Sequence, residues 1–138
     1  MNSEILVLDT HVWIWLLNGD KIIEKSGFLQ HINKGVKNHS IKIPAISLWE
    51  VSMLSLKSRI VLSENTLEWL KTALGAPGIS IQPITPEIAY ESTMLPDNFH
   101  GDPADRLIVA TTRILNATLL TLDKKILEYS KKGYIKTV

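Results

Sequence analysis

The 138-residue sequence contains no cysteine. Disulfide bonds, zinc–thiolate sites and cysteine nucleophiles are therefore excluded. The lack of cysteine is also what a reducing compartment favours, and we expect a cytoplasmic protein. Long apolar stretches are lacking as well, because charged residues interrupt them well before the roughly 20 residues that a membrane-spanning helix needs. A basic segment followed by a long apolar stretch, which would indicate a signal peptide, is also lacking. We therefore expect no membrane partner.

Several chemical motifs are also missing. Neither G-x-x-x-x-G-K nor G-x-G-x-x-G occurs, so the glycine-rich loops that bind phosphates are excluded. The spacing of the four histidines gives no argument for a Ser-His-Asp or Cys-His arrangement. His11 lies near an acid and could line a site, but we do not expect it to be a metal ligand.

The composition is that of an ordinary globular protein, with 45% apolar and 21% charged residues. The length fits one domain over residues 1–138 with a sizeable core. The net charge of +1 says little about partners. Lysines do crowd the C-terminal segment, as a solvated helix face or as a rim that attracts phosphates. They are Lys124, Lys125, Lys131, Lys132 and Lys136.

Predicted strands alternate with predicted helices along the chain. The strands are residues 5–8, 41–45, 79–84, 118–122 and, as a possible fifth, 134–137. The helices are residues 10–17, 21–34, 47–58, 63–74, one from 86, 103–115 and 124–130. This alternation indicates an α/β fold, a three-layer α/β/α sandwich with a mostly parallel four- to five-stranded sheet.

Four acids occupy positions that such a fold would bring together. Asp9 and Asp123 each close an apolar run that is predicted to be a buried strand, and Glu50 and Asp105 lie in the first turns of predicted helices. In an open α/β sheet these positions meet in one crevice beyond the carboxyl ends of the strands. Several carboxylates in one crevice repel each other, so the set predicts a divalent metal and metal-assisted phosphate chemistry.

Each acid also has a purely structural interpretation. Asp9, Asp102 and Asp123 stand at expected N-caps, and Glu50 follows Ser47 at the spacing of a capping box. Negative side chains in a first helical turn are favourable by about 0.3–1 kcal/mol each. The two interpretations are compatible, because a carboxylate has two oxygens and can accept a capping bond with one of them.

Three segments span nearly the whole chain: LDTHVWIWL, SLWEVSM and HGDPADRLIVATTRILNATLLTLDKKI. In this order and spacing they resemble the PIN-domain family, and within it the VapC-type toxins of toxin–antitoxin pairs. The resemblance implies a small α/β/α sandwich with a parallel sheet. It also implies an endoribonuclease that depends on Mg²⁺ or Mn²⁺ and hydrolyses phosphodiester bonds of tRNA, rRNA or mRNA with metal-activated water.

The resemblance also implies roles for individual residues. The catalytic and metal-binding positions that match are Asp9, Glu50, Asp105 and Asp123. The supporting positions that match are Thr10, Asp102, Arg106 and Thr121. For Arg106 a surface salt bridge is as good an interpretation as a phosphate contact.

The partners implied by the resemblance are an RNA substrate, a second copy of the chain and a cognate antitoxin that lays a segment into an apolar groove. The four tryptophans are expected in the core by default. Trp13 and Trp15 are two residues apart, so on a helix they do not share one narrow face, and one of them could face a partner.

Other functions fit the sequence less well. A phosphatase with an aspartyl nucleophile needs D-x-D after the first strand, but His11 stands two residues after Asp9. A receiver-like domain needs an acidic pair near that strand, and Glu4 is too early to supply it. A catalytically inactive PIN-fold interaction module remains an alternative, although the presence of all four acids weighs against it.

Overall fold

The computed structural model describes residues 4–138, which form one parallel sheet with helices on both faces. The strands are β1 (Leu6–Leu8), β2 (Ile41–Pro44), β3 (Ile79–Gln82), β4 (Thr118–Leu120) and β5 (Lys136–Thr137). The helices are α1 (Thr10–Leu17), α2 (Ile22–Lys25), α3 (Leu29–Lys37), α4 (Ile46–Leu56), α5 (Thr66–Leu74), α6 (Pro86–Thr93), α7 (Pro103–Ile114) and α8 (Lys124–Lys131). A short 3₁₀ turn spans Pro96–Asn98.

The strand order is β3-β2-β1-β4-β5, and all neighbours are parallel. The chain moves from β1 to β2 and β3 in one direction, and then crosses back to place β4 on the other side of β1. Leu6 accordingly pairs with Ile41 on one side and Thr118 on the other. The reversal creates a switch point between β1 and β4, where open α/β sheets bind ligands.

The core lies on both faces of this sheet. Side chains alternate along β1, so Leu6 and Leu8 pack into one apolar cluster and Val7 into the other. Trp13 and Ile41 belong to the first cluster. The second cluster collects buried side chains of β4, α6, α7 and α8. The predicted three-layer sandwich with a parallel sheet is therefore confirmed.

Some predicted boundaries were wrong. The single helix predicted over 21–34 is two helices, because Gly27 between them has a φ of +81°, a left-handed conformation that glycine tolerates. The helix predicted from Ser63 begins at Thr66 instead, since the Asn65 side chain caps it through Glu68 N. The strands predicted to end at 84 and 122 each end two residues earlier.

The predicted capping box at Ser47 is also wrong. Helix α4 begins at Ile46 after Ala45, whose backbone is already helical, and no side chain caps it. Ser47 and Glu50 are therefore free for other contacts. The N-caps predicted at Asp9, Asp102 and Asp123 are confirmed, and a proline follows Asp102 in the first turn.

Among residues 4–138, no helix combines the length and the apolar character that crossing a membrane requires.

Candidate active site

Asp9 leaves the end of β1 and caps α1 with a buried carboxylate. Its Oδ1 accepts from Thr10 N at 2.8 Å, and its Oδ2 accepts from Thr121 Oγ1 at 2.7 Å. Burial raises the pKa of Asp9, and the bonds from Thr121 and Thr10 oppose that rise by favouring the ionised form. Both oxygens are thus fixed in direction, while each keeps a second lone pair.

Glu50 is held at the same end of the sheet by a chain of hydroxyls. Thr10 Oγ1 donates to Glu50 Oε1 at 2.5 Å and lies 2.8 Å from Ser47 Oγ. A threonine hydroxyl has one proton, so Ser47 must be the donor to Thr10. Burial raises the pKa of Glu50, the Thr10 bond opposes this, and the charges of Asp9 and Asp102 raise it further. Ser47 is fully buried, and the chain of hydroxyls sets the position of the Glu50 carboxylate.

Asp102 and Asp105 occupy the first turn of α7. Asp102 is the N-cap, and its Oδ1 accepts from Asp105 N at 2.9 Å. Burial first, and then the charges of four other carboxylates, raise the pKa of Asp105 to about 7. These are Asp102, Asp9, Asp123 and Glu50. A carboxyl group whose pKa is raised by several neighbouring carboxylates is typical of a cation-binding site.

Asp123 caps α8 at the end of the segment that follows β4. Its Oδ1 accepts from Ile126 N at 3.1 Å, and its own N–H donates to Thr121 Oγ1 at 3.0 Å. The Thr121 hydroxyl therefore contacts both Asp9 and the backbone of Asp123. This one side chain ties the ends of β1 and β4 together at the switch point of the sheet.

All five acids line one open cavity of about 410 Å³ at the carboxyl edge of the sheet. They are Asp9, Glu50, Asp102, Asp105 and Asp123. The other lining residues are His11, Val12, Trp15, Leu54 and Leu122. The structure thus brings the four acids singled out from the sequence together with Asp102, although they are spread over more than a hundred positions of the chain.

No positive side chain neutralises this cluster within the described part of the chain. The ion pairs found there join Lys71 to Glu68, Arg113 to Glu91 and Lys132 to Asp97. A second cavity of about 450 Å³ contains Glu91, but that carboxylate already pairs with Arg113 at 2.6 Å. The acidic cavity therefore differs from the other in having an uncompensated negative charge.

The donor set fits a hard divalent cation. Carboxylate oxygens are the preferred ligands of Mg²⁺, which keeps several waters and takes one or two carboxylates from the protein. In residues 4–138, no group of three or more His, Asp or Glu side chains is arranged to hold an ion directly. One or two direct carboxylates, with the remaining acids reached through water, are what these residues can offer.

Arg106 lies outside the cavity. Its Nε donates to Ser92 O at 2.8 Å and its Nη1 to Phe99 O at 2.5 Å. Among the described residues Arg106 makes no surface salt bridge. Arg106 instead fastens the start of α7, and with it Asp102 and Asp105, to the preceding segment.

The sequence interpretation missed the role of Ser47 and the place of Trp15. His11, which we expected could line a site, does line the acidic cavity, and so does Trp15. The i, i+4 spacing of these two residues on α1 was the available signal for Trp15. Trp13 is fully buried, as the default expected, whereas Trp49 is 57% exposed on α4. As their spacing indicated, Trp13 and Trp15 face different surroundings: Trp13 lies in the core and Trp15 lines the acidic cavity.

The sequence was compared with protein families and with individual known proteins. The PIN domain family matches residues 6–132. Ribonuclease VapC22 of Mycobacterium tuberculosis (strain ATCC 25618 / H37Rv) is 32% identical over 123 residues, which is 88% of each chain.

Two solved structures resemble the fold. The crystal structure of VapBC2 from Rickettsia felis bound to a DNA fragment from their promoter has a TM-score of 0.69 at 18% identity, covering 97% of both chains. A toxin-antitoxin complex from Klebsiella pneumoniae has a TM-score of 0.60 at 21% identity, covering 87% of this chain and 88% of that one. At these identities the two structures support the fold.

Proposed function

The chain belongs to the PIN domain family and, within it, to the VapC ribonucleases, and from this we propose that it is a metal-dependent endoribonuclease acting as the toxin of a toxin–antitoxin pair. The observation that carries the proposal is the convergence of five unpaired carboxylates in one open cavity. Three of them have raised pKa values, caused first by burial. The repulsion between these carboxylates destabilises the fold, and an inactive interaction module would not require it.

Asp9, Glu50, Asp105 and Asp123 would hold Mg²⁺ or Mn²⁺, with Asp102 beside them. A divalent cation bound there supplies Lewis-acid stabilisation of phosphate charge and makes water nucleophilic near neutral pH. The carboxylate set fits this group because its oxygens are unpaired with cations and point into a cavity open to solvent.

The protein's own hydroxyls prepare the acids for this role. Thr121 and the Thr10 amide fix the two oxygens of Asp9, and Thr10 Oγ1 fixes Glu50. Each bond favours the ionised carboxylate, the form that binds a cation. Holding the acids in place before the metal arrives lowers the cost of reorganisation during the reaction.

An RNA substrate would meet a mixed electrostatic surface. The acidic cavity repels a phosphate chain unless a cation is bound, which makes binding depend on metal. Exposed Lys124 and Lys125 follow Asp123 directly in the first turn of α8 and would contact phosphates beside the cavity. Cleavage by water would leave a 5′-phosphate and a 3′-hydroxyl.

Protein partners would use the exposed apolar side chains of α4, α5 and the loop between them. Leu56 is 77% exposed, Val61 88% and Leu67 60%. The ends of the two helices are joined by Ser55 and Thr66, whose hydroxyls lie 2.7 Å apart. We assign this apolar surface to an antitoxin or to a second copy of the chain, since exposed apolar patches mark protein interfaces.

The test is cleavage of purified RNA by purified protein during titration with Mn²⁺ or Mg²⁺. The proposal expects internal cuts with 5′-phosphate ends, no cleavage in EDTA and none by Asp105→Asn. A 2′,3′-cyclic phosphate product, or equal cleavage in EDTA, would contradict it. Trapping of an aspartyl-phosphate by a fluoride analogue would favour another Mg²⁺-dependent phosphotransfer domain.

A further inference from the structure

The acidic cavity has an apolar side that a metal site does not need. Trp15, Leu54 and Leu122 line it together with Val12 and the carboxylates. A hard cation gains nothing from indole or leucine side chains, because it binds oxygen. The apolar side therefore indicates that a flat or apolar group enters the cavity alongside the cation.

Two neighbouring rings are among the side chains that line the cavity. His11 and Trp15 are four residues apart on α1, their ring centroids are 5.9 Å apart, and their planes are inclined by 48°. His11 is exposed and Trp15 partly exposed, so both rings can be reached from solvent. Leu122, which is 41% exposed, stands directly before Asp123 in the chain.

We propose that Trp15, with His11 and Leu122, forms a stacking shelf that takes an unpaired nucleobase of the nucleotide next to the scissile phosphate. The inference rests on the proposed ribonuclease function and specifies how that site selects its substrate. The shelf opens into the same cavity as the carboxylates, so a base lying on it places its own phosphate beside Asp105 and Asp123. Aromatic side chains bind bases of any sequence through their π faces.

A nucleobase suits this shelf better than a protein segment does. The cavity of about 410 Å³ has the size of a small-molecule pocket, whereas a docked peptide needs a long groove. The large exposed side chains of the antitoxin or self-contact surface, Leu56, Val61 and Leu67, do not line this cavity. A base in a duplex is stacked on its neighbours and has no free face to offer, so the shelf selects unpaired RNA.

The experiment uses abasic substitution. Wild-type protein with Mn²⁺ first cleaves random-sequence single-stranded RNA, and sequencing of the ends yields an oligonucleotide with one cleavage site. The base is then removed, one position at a time, from the two nucleotides on either side of that site. For each oligonucleotide, kcat/KM is measured with wild type, with Trp15→Leu and with the control Trp49→Leu.

Trp15→Leu keeps an apolar side chain against the core but removes the aromatic face. Trp49→Leu makes the same change at an exposed position on α4 that does not line the cavity. We expect one abasic position to lower kcat/KM of wild type and of Trp49→Leu about tenfold. The same abasic position should have little further effect in Trp15→Leu, because the stacking partner is already gone.

The shelf is overturned if the abasic position lowers kcat/KM of Trp15→Leu by the same factor as in wild type. It is also overturned if the abasic effect disappears in Trp49→Leu as it does in Trp15→Leu. Unchanged cleavage by Trp15→Leu together with weakened self-association assigns the ring to a protein contact and also overturns it. If Trp15→Leu does not fold, the exposed Leu122→Ala variant is judged by the same coupling. Wild-type protein that cuts no RNA overturns the proposed function as well, whereas wild type that cuts without any abasic effect overturns the shelf alone.

Discussion

Thr121 donates its hydroxyl proton to Asp9 Oδ2 at 2.7 Å, across 112 positions of the chain. The two residues follow the neighbouring parallel strands β4 and β1, so the bond joins the sheet at its switch point. The same hydroxyl accepts from Asp123 N at 3.0 Å. This side chain therefore links two of the proposed metal-binding acids, and its removal should disturb both.

Thr121→Val should weaken both folding and cleavage. The change keeps the shape of the side chain and removes two hydrogen bonds, one of them to a buried carboxylate, so we expect a loss of about 1–3 kcal/mol in the free energy of unfolding at pH 8. Urea unfolding measures it. Thr118→Val is the control, because Thr118 is buried on β4 and makes no side-chain hydrogen bond within the described residues. Equal stability of the two variants would contradict the linking role.

The stability of the metal-free protein should depend on Asp105 with a definite sign. Its pKa is raised from 3.8 to about 7 in the folded state, so the folded protein binds this proton more tightly than the unfolded chain. The contribution of Asp105 is thus most favourable below pH 4 and is lost as pH rises towards 7. Asp9 and Glu50, whose pKa values are also raised, act in the same direction.

Thermal unfolding of wild type and Asp105→Asn in EDTA between pH 4 and 8 measures this contribution. Asparagine stays neutral, so the advantage of Asp105→Asn over wild type should grow with pH across that interval. A difference in Tm that is constant with pH, or that shrinks as pH rises, would show that the carboxyl is not destabilised by its neighbours.

Divalent metal should stabilise the folded protein. Binding to the folded state alone contributes about 2.7 kcal/mol when the free metal is at 100 times its Kd. The rise in Tm with Mn²⁺ should be largest near pH 8, where the acids are ionised, and should disappear in Asp9→Asn. Asp97→Asn serves as the control, since Asp97 is paired with Lys132 on the surface and does not line the acidic cavity. A metal-induced shift that survives in Asp9→Asn would place the ion elsewhere.

Ser47→Ala should impair cleavage more than folding. The Ser47 hydroxyl donates to Thr10, which directs the proton of Thr10 towards Glu50. Without it Thr10 can turn away, and we expect a several-fold lower kcat with little change in KM, at a cost of about 0.5–1.5 kcal/mol in stability. Ser52→Ala on the same helix is the matched control, because Ser52 bonds only its own helix through Leu48 O. Identical kcat values in the two variants would contradict the positioning role.

Much of the site could be predicted because its acids obey local rules. Asp9 and Asp123 follow apolar runs that become β1 and β4, and a parallel sheet brings such ends to one edge. Asp102 and Pro103 mark the start of α7, which places Asp105 one turn into the same cavity. The three-layer α/β/α sandwich could be predicted for the same reason, because the patterns that indicate each strand and each helix lie within a few neighbouring residues.

The remainder depends on contacts between distant residues. Ser47 has the spacing of a capping box with Glu50, yet its hydroxyl bonds Thr10, 37 positions away, because α4 begins before it. Arg106 resembles a phosphate ligand or a surface ion-pair residue but bonds two backbone carbonyls. No pattern within a few residues contains these contacts. The division of the helix predicted over 21–34 has a local cause, the left-handed turn at Gly27, which hydrophobic periodicity alone does not register.

The proposed function requires the acids at the carboxyl edge of the sheet to form a common site for divalent metal. Anomalous diffraction from a crystal soaked in Mn²⁺ tests it most directly. We expect one or two manganese peaks inside the cavity, with at least one oxygen of Asp9, Glu50, Asp105 or Asp123 as a direct ligand. Manganese found only at surface carboxylates such as Glu68 or Glu128, with the cavity holding water alone, would contradict it.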